Sequence, residues 1–243
     1  MKNFELLPFT NPDDLARAVA SAWLDEIETA NRSGKMHSVA LSGGRITQKF
    51  FAHTVEQAKA RNISFAKVHF FWADERCLPP TDPESNFKLA NDLLFTPLRI
   101  APAQIHRLRG EEDPASAVDA ANAEIRQVIE NKNNGLLVFD LIFLGMGEDG
   151  HIASLFPILS VQFLDKTVPF LVVTNSPKPP PTRISLSYKM IYAAKNVWVL
   201  ASGSGKEKAF REALNSSGPS PIPLGVVIQN RQSTRVFSDI PLN

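Results

Sequence analysis

Cysteine is almost absent from the sequence: Cys77 is the only one among 243 residues. A lone thiol cannot build an internal disulfide framework, nor a Cys-rich zinc or iron–sulfur site. No apolar run approaches the roughly 20 residues that cross a bilayer. The start, Met1-Lys2-Asn3-Phe4-Glu5, lacks the basic and apolar regions of a secretory signal. Neither sign of charge is in excess, with 26 Lys and Arg against 25 Asp and Glu. A nucleic-acid partner would call for a basic surplus on one face and is not expected. Nor is a membrane partner. A cytoplasmic address is the default expectation, and a small anion remains a candidate ligand because a few local cations suffice for it.

Several catalytic signatures are also missing. There is no Gly-x-Ser-x-Gly nucleophile elbow, no His-Glu-x-x-His pair and no dinucleotide Gly-x-Gly-x-x-Gly after the first strand. Gly145-Met146-Gly147 with Gly150 matches that last spacing loosely, but Glu148 and Asp149 would repel a pyrophosphate.

What is present is the composition of an ordinary globular protein, 44% hydrophobic and 21% charged, long enough to bury a full core. Short apolar runs rich in Val, Ile, Leu and Phe read as buried parallel strands at 38–41, 68–72, 139–144, 170–174, 184–186 and 197–200. Helical patterns lie between them, at 12–31, 46–61, 84–94, 114–130 and 206–214. Asn11-Pro12 and Asp113-Pro114 each combine a capping side chain with proline at the first helical position, and Asn133-Asn134-Gly135 reads as a stop. Strand–helix alternation predicts an α/β fold of Rossmann-like, doubly wound type: a mainly parallel sheet with helices on both faces. Neither Pro177–Pro181 nor the Ser216–Pro223 loop separates segments of different composition, so residues 1–243 read as one domain.

Ligands of such sheets bind beyond the carboxyl ends of the strands. Five loops there carry chemistry. Ser42-Gly43-Gly44-Arg45 offers backbone N–H groups, a helix N-terminus and a formal charge to an anion; a plain strand-to-helix turn is the alternative. Asp74-Glu75-Arg76 places three ionisable residues at a strand end, either as part of a site or as a solvated run. Gly145–His151 follows the most hydrophobic strand, and Asp149 or Glu148 can orient the His151 imidazole. A histidine titrates near pH ~6.5 and so exchanges protons around neutrality. Lys178 and Arg183 flank a proline-stiffened loop that is either an anion clamp or a rigid surface crossing. Ser202-Gly203-Ser204-Gly205-Lys206 could hold phosphate or simply start a helix. His37, His53, His69 and His106 lack a comparable setting and read as structural or surface residues.

Taken together the loops resemble the 6-phosphogluconolactonase family, within the larger group of glucosamine-6-phosphate deaminases and ribose-5-phosphate isomerases. The resemblance rests on Asp74-Glu75-Arg76-Cys77, Asp82-Pro83-Glu84-Ser85-Asn86 and Ile105–Glu111. It continues through Gly145–His151 with Ala153–Pro157, and Ser176–Pro181 with Arg183-Ile184. Two positions depart from the pattern. The family usually carries Ser-Gly-Gly-Ser-Thr-Pro where this chain has Arg45-Ile46-Thr47 after the glycines, and Thr where it has Ile152. Deaminases share Asp149-Gly150-His151-Ile152 but usually have Tyr at position 76 and Phe-Asn-Glu-Pro at 154–157.

The resemblance implies hydrolysis of 6-phospho-D-glucono-1,5-lactone in the oxidative pentose phosphate pathway, without metal, cofactor or covalent intermediate. It implies His151 as base, Asp149 as its orienting partner and Arg76 on the oxyanion or the substrate. Ser42, Gly43, Gly44, Arg45, Lys178, Arg183 and Lys206 form the candidate phosphate shell. Asp74 and Asn86 would hold sugar hydroxyls or the loop itself. A monomer or weak homodimer is expected. The alternatives are a glucosamine-6-phosphate deaminase and a non-catalytic sugar-phosphate sensor; retention of His151 with Asp149 speaks against the sensor.

Overall fold

The structure is a computed structural model and describes residues 3–133, 135–215 and 218–242. Six parallel strands form the main sheet, in the spatial order Glu5–Pro8, Arg235–Ser238, Asn196–Ala201, Leu141–Gly145, His37–Leu41 and Val68–Trp72. The four inner and right-hand strands match the expected runs within a few residues. The hydrophobic segment expected from position 139 begins pairing only at Leu141, because Asp140 turns its carboxylate to the backbone N–H and hydroxyl of Ser38.

The first helix, Pro12–Arg32, starts as its sequence demands: the Asn11 carboxamide accepts from the N–H groups of Asp13 and Asp14, with Pro12 in the first turn. It buries Leu15, Val19, Trp23 and Ile27, one stripe at helical spacing. Trp23 lies within ring contact of Phe50, Phe65, Phe70 and Phe143, tying the first helix to the second, Arg45–Ala60, and to the sheet. Each such buried aromatic is worth several kcal/mol, roughly 3–5 on truncation.

Two expected strands do not belong to the parallel sheet. Phe170–Val173 and Arg183–Leu186 pair antiparallel with each other, and Arg183–Leu186 pairs antiparallel with Asp74–Arg76, forming a separate three-stranded sheet. A buried apolar run carries no information about partner direction, so the local pattern reads the same in either sheet. The helix expected over 84–94 is a short Asn86–Ala90 segment that widens into a π-type turn over Asn91–Phe95. The helix expected to reach position 130 ends at Val128; the stop signal behind it includes Asn134, outside the described residues, as are Met1, Lys2 and the Ser216-Ser217 start of the later loop. The edge strand Glu5–Pro8, its neighbour Arg235–Ser238 and the helices Tyr188–Ala193 and Pro223–Gln229 were not expected.

The chain leaves strand His37–Leu41 toward Val68–Trp72 on one side, whereas Leu141–Gly145 neighbours it on the other. That reversal opens a crevice between the loops that follow these two central strands. No helix among the described residues is long and apolar enough to cross a membrane.

Candidate active site

The crevice holds a hollow of about 310 Å³. Ser42, Gly43, Gly44 and Arg45 reach it from one central strand, and Gly147 and His151 from the other. Asp74, Arg76 and Arg183 come from the small antiparallel sheet, Asn86 from the helix behind it, and Lys206 from the loop after Asn196–Ala201. Ser42 and Lys206, far apart in the sequence, thus meet because every loop leaves the same end of the sheet.

His151 is fixed on three sides. Its Nδ1 is 2.5 Å from Asp149 Oδ1, its ring is tilted on Phe156 with centroids 4.6 Å apart, and its carbonyl accepts from the Gly147 N–H. Gly147 is required for close approach: a Cβ there would sit 2.0 Å from His151 Cε1. Gly150 is required for its left-handed backbone, φ +80°. Burial alone would raise the Asp149 carboxyl, but the hydrogen bond and charge of His151 win and hold it down at about 2. Asp149 is therefore a carboxylate across the working range. It accepts the Nδ1 proton, which leaves Nε2 as the basic nitrogen, without a protein partner among the described residues.

Asp74 and Asn86 are committed to the scaffold. The Asp74 carboxylate, 6% exposed, accepts from Ser154 Oγ at 2.6 Å and from Asn86 Nδ2 at 3.3 Å, and its carbonyl accepts from the same amide at 2.8 Å. Gly43 lies directly on this amide, since a Cβ would come within 1.9 Å of Asn86 Oδ1. Hydrogen bonds therefore join Asn86, Asp74 and the loop after His151, and the glycine loop packs against Asn86. Of the two roles expected for Asp74 and Asn86, holding the loop is the one visible in these contacts. Glu75 is scaffold too. It accepts from the N–H groups of Arg76, Asn86 and Phe87 and from Ser85 Oγ, while burial pushes its carboxyl up to about 7.

The cations differ in what they are free to do. Arg183 gives Nε and Nη2 to the carbonyls of Pro180, Lys178 and Pro179, so it clamps its own proline loop and presents only Nη1. Arg76 Nη1 donates to the Glu84 carbonyl and lies 3.5 Å from the Glu84 carboxylate, and its Nε is buried without a partner. Arg45 and Lys206 border the hollow, and their side chains have no protein hydrogen bond among the described residues. Burial and the charge of Arg45 both push the Lys206 ammonium below its ordinary pKa. Lys178 does not border the hollow; it stands close enough to act electrostatically on Asp149 and Lys206.

Three features escaped the sequence reading. Lys49 lines the hollow and pairs with Asp13 at 3.3 Å; its place four residues after Arg45 on one helix face was the available signal. Ser154 anchors Asp74 across 80 residues of sequence, a contact no local pattern encodes. Asp239 accepts from Ser202 Oγ and the Gly203 N–H and so shapes the loop before Lys206. The other histidines are structural, as expected: His37 and His106 are buried, and His53 lies against Asp13 and Glu56.

The 6-phosphogluconolactonase of Haemophilus influenzae is 37% identical over 174 residues, 72% of each chain. That of Streptomyces coelicolor is 34% identical over 226 residues, covering 90% of this chain and 86% of its own. Among solved structures, one named devB protein superposes with a TM-score of 0.86 at 30% identity, covering 97% of this chain and 96% of its own. The model of the glucosamine-6-phosphate isomerase/6-phosphogluconolactonase family matches residues 10–237, and the chain belongs to that family.

Proposed function

We propose that this enzyme hydrolyses 6-phospho-D-glucono-1,5-lactone to 6-phosphogluconate, the lactone step of the oxidative pentose phosphate pathway. The observation that carries the reading is the Asp149–His151 pair, with its free Nε2, set in a cation-lined hollow. Relatives 34–37% identical that bear the name 6-phosphogluconolactonase support the choice of substrate.

The chemistry asks little of the protein. A δ-lactone carbonyl is already electrophilic, so a positioned water and a base suffice. His151 Nε2 takes a proton from the water as its oxygen bonds to C1, and the carbonyl electrons move onto the exocyclic oxygen. When the tetrahedral adduct collapses, the C1–ring oxygen bond breaks, and the imidazolium returns its proton to the departing alkoxide. Asp149 holds the ring and stabilises the imidazolium. Arg76 faces the developing oxyanion, where a donor aimed at new charge counts most.

Arg45, Lys206 and the N–H groups of Ser42–Arg45 hold the phosphate, with Lys178 adding to the field; Arg183, expected in the phosphate shell, stands instead beside Arg76, its direct cross-strand partner. Asp74 and Asn86 keep these two ends in register. We place the enzyme in the cytoplasm as a single-domain monomer or weak homodimer that takes no metal, cofactor, nucleic acid or membrane.

The test is lactone hydrolysis measured beside ammonia release from glucosamine 6-phosphate. Hydrolysis well above the spontaneous rate with no ammonia is expected. Ammonia release without hydrolysis would assign the site to deamination instead.

A further inference from the structure

The cations around the hollow fall into two groups on two different sheets. Arg76 and Arg183 are direct cross-strand partners in the small antiparallel sheet. Like charges in that register repel unless an anion lies between them. Their relief among the described residues is partial: Glu84, whose carboxylate is 3.5 Å from Arg76 Nη1, is 68% exposed, Arg76 Nε is buried unpaired, and the neighbouring Asp74 carboxylate is spent on Ser154 and Asn86. The second group is Arg45 with Lys206, at the ends of main-sheet strands. Arg45 opens its helix at the N-terminal end, where a cation opposes the dipole, and that helix has no acidic residue in its first turn and no side-chain cap. The Lys206 ammonium is desolvated and is repelled by Arg45 and Lys178, against a partial counterweight from Asp239 and Glu148; Arg76 and Arg183 are not among the charges that act on it.

Each group thus concentrates positive charge at its own part of the rim of the hollow. The lactone substrate brings one anionic group, its phosphate. The ring-opened product brings two, a phosphate at one end and a carboxylate at the other. Resting on the lactonase reading for its choice of probes, we propose that the hollow is a two-pole site for double-headed anions. These are acyclic sugar acids and sugar phosphates with an anionic group at each end, the reaction's own product among them. They bind more tightly than singly charged sugar phosphates and restrain turnover. The pole that stabilises the oxyanion in the transition state also grips the carboxylate that replaces it. Arg45, standing where the family usually has a small hydroxyl residue, strengthens the other pole and deepens the restraint.

Titration calorimetry on the intact protein at low salt tests this without turnover, using 6-phosphogluconate, glucitol 6-phosphate and gluconate. A second charge-assisted contact is worth roughly a factor of ten or more. 6-Phosphogluconate is therefore expected to bind at least about ten-fold tighter than glucitol 6-phosphate, which differs only in lacking the carboxylate. Gluconate should bind weakest. Arg76→Leu should erase the carboxylate advantage and leave glucitol 6-phosphate affinity unchanged. Arg45→Ser should weaken both phosphorylated ligands by the same factor. Equal affinity of the two phosphorylated ligands for the wild-type protein overturns the proposal, whatever the variants do. Binding that follows the expected order in a protein that does not hydrolyse the lactone would sink the lactonase reading and leave the two poles standing. Hydrolysis without the order does the reverse.

Discussion

The two ends of the main sheet carry nearly the same chemical groups and use them differently. At the carboxyl end, His151 meets Asp149 and a set of cations around a hollow. At the amino end, His37, Asp140, Lys195 and Glu26 border another depression. There the valences are spent. His37 Nε2 accepts the Trp23 indole N–H at 3.2 Å, and burial pushes that imidazole down to about 4, so it stays neutral. Asp140 is filled by the Ser38 N–H and hydroxyl and by Lys195 Nζ at 2.6 Å. At the carboxyl end one imidazole nitrogen and the side chains of two cations have no hydrogen-bond partner among the described residues. Residue type does not separate a site from a scaffold; leftover hydrogen-bonding capacity does.

The comparison can be broken by altering the committed and uncommitted groups in turn. Short of removing His151 itself, the largest effect is expected from Asp149→Asn, which keeps the shape but presents an amide to His151 Nδ1 and favours the wrong tautomer. kcat should fall on the order of 10²-fold with KM little changed. Unchanged kcat would show that His151 needs no orienting carboxylate. His37→Ala should do the opposite. It strands the buried Trp23 N–H and costs about 2 kcal/mol of stability, read from denaturant midpoints, while kcat of the folded protein stays put. A kcat loss larger than the stability loss explains would blur the division between the two ends.

Arg45→Ser, which restores the usual family residue, should raise KM about ten-fold with a smaller change in kcat. An equal rise for an unphosphorylated lactone would remove Arg45 from the phosphate. The smallest effect concerns Glu26, whose carboxyl burial pushes up to about 7 from an ordinary 4.5. Its stabilising contribution is complete below 4.5 and is lost as pH rises toward 7. Glu26→Gln should therefore flatten the decline in unfolding midpoint between those two values relative to wild type. Parallel midpoint curves would contradict the shift.

The same contrast explains what the sequence could disclose. The central strands were legible because both faces are buried, so apolar residues run without interruption from Leu141 to Leu144. The edge strand Glu5–Pro8 is only partly buried and ends in proline, which leaves no such run. The direction of Phe170–Val173 was illegible because pairing direction is a tertiary choice. Site loops were legible as clusters of glycine and charge at strand ends. Their division of labour was not: that Asp74 would be filled by Ser154 while Arg45 stayed free depends on contacts between distant segments. Ser42 shows the same limit, since its hydroxyl donates to the Phe143 carbonyl at 2.8 Å and only its backbone is left for an anion.

The most direct test of the central claim is lactone hydrolysis by His151→Ala, corrected for spontaneous ring opening, with the fold checked by its thermal transition. The free Nε2 as base predicts a kcat lower by on the order of 10²- to 10⁴-fold in a protein that still binds glucitol 6-phosphate. Near-normal turnover in that variant would contradict the account and move the base elsewhere in the hollow.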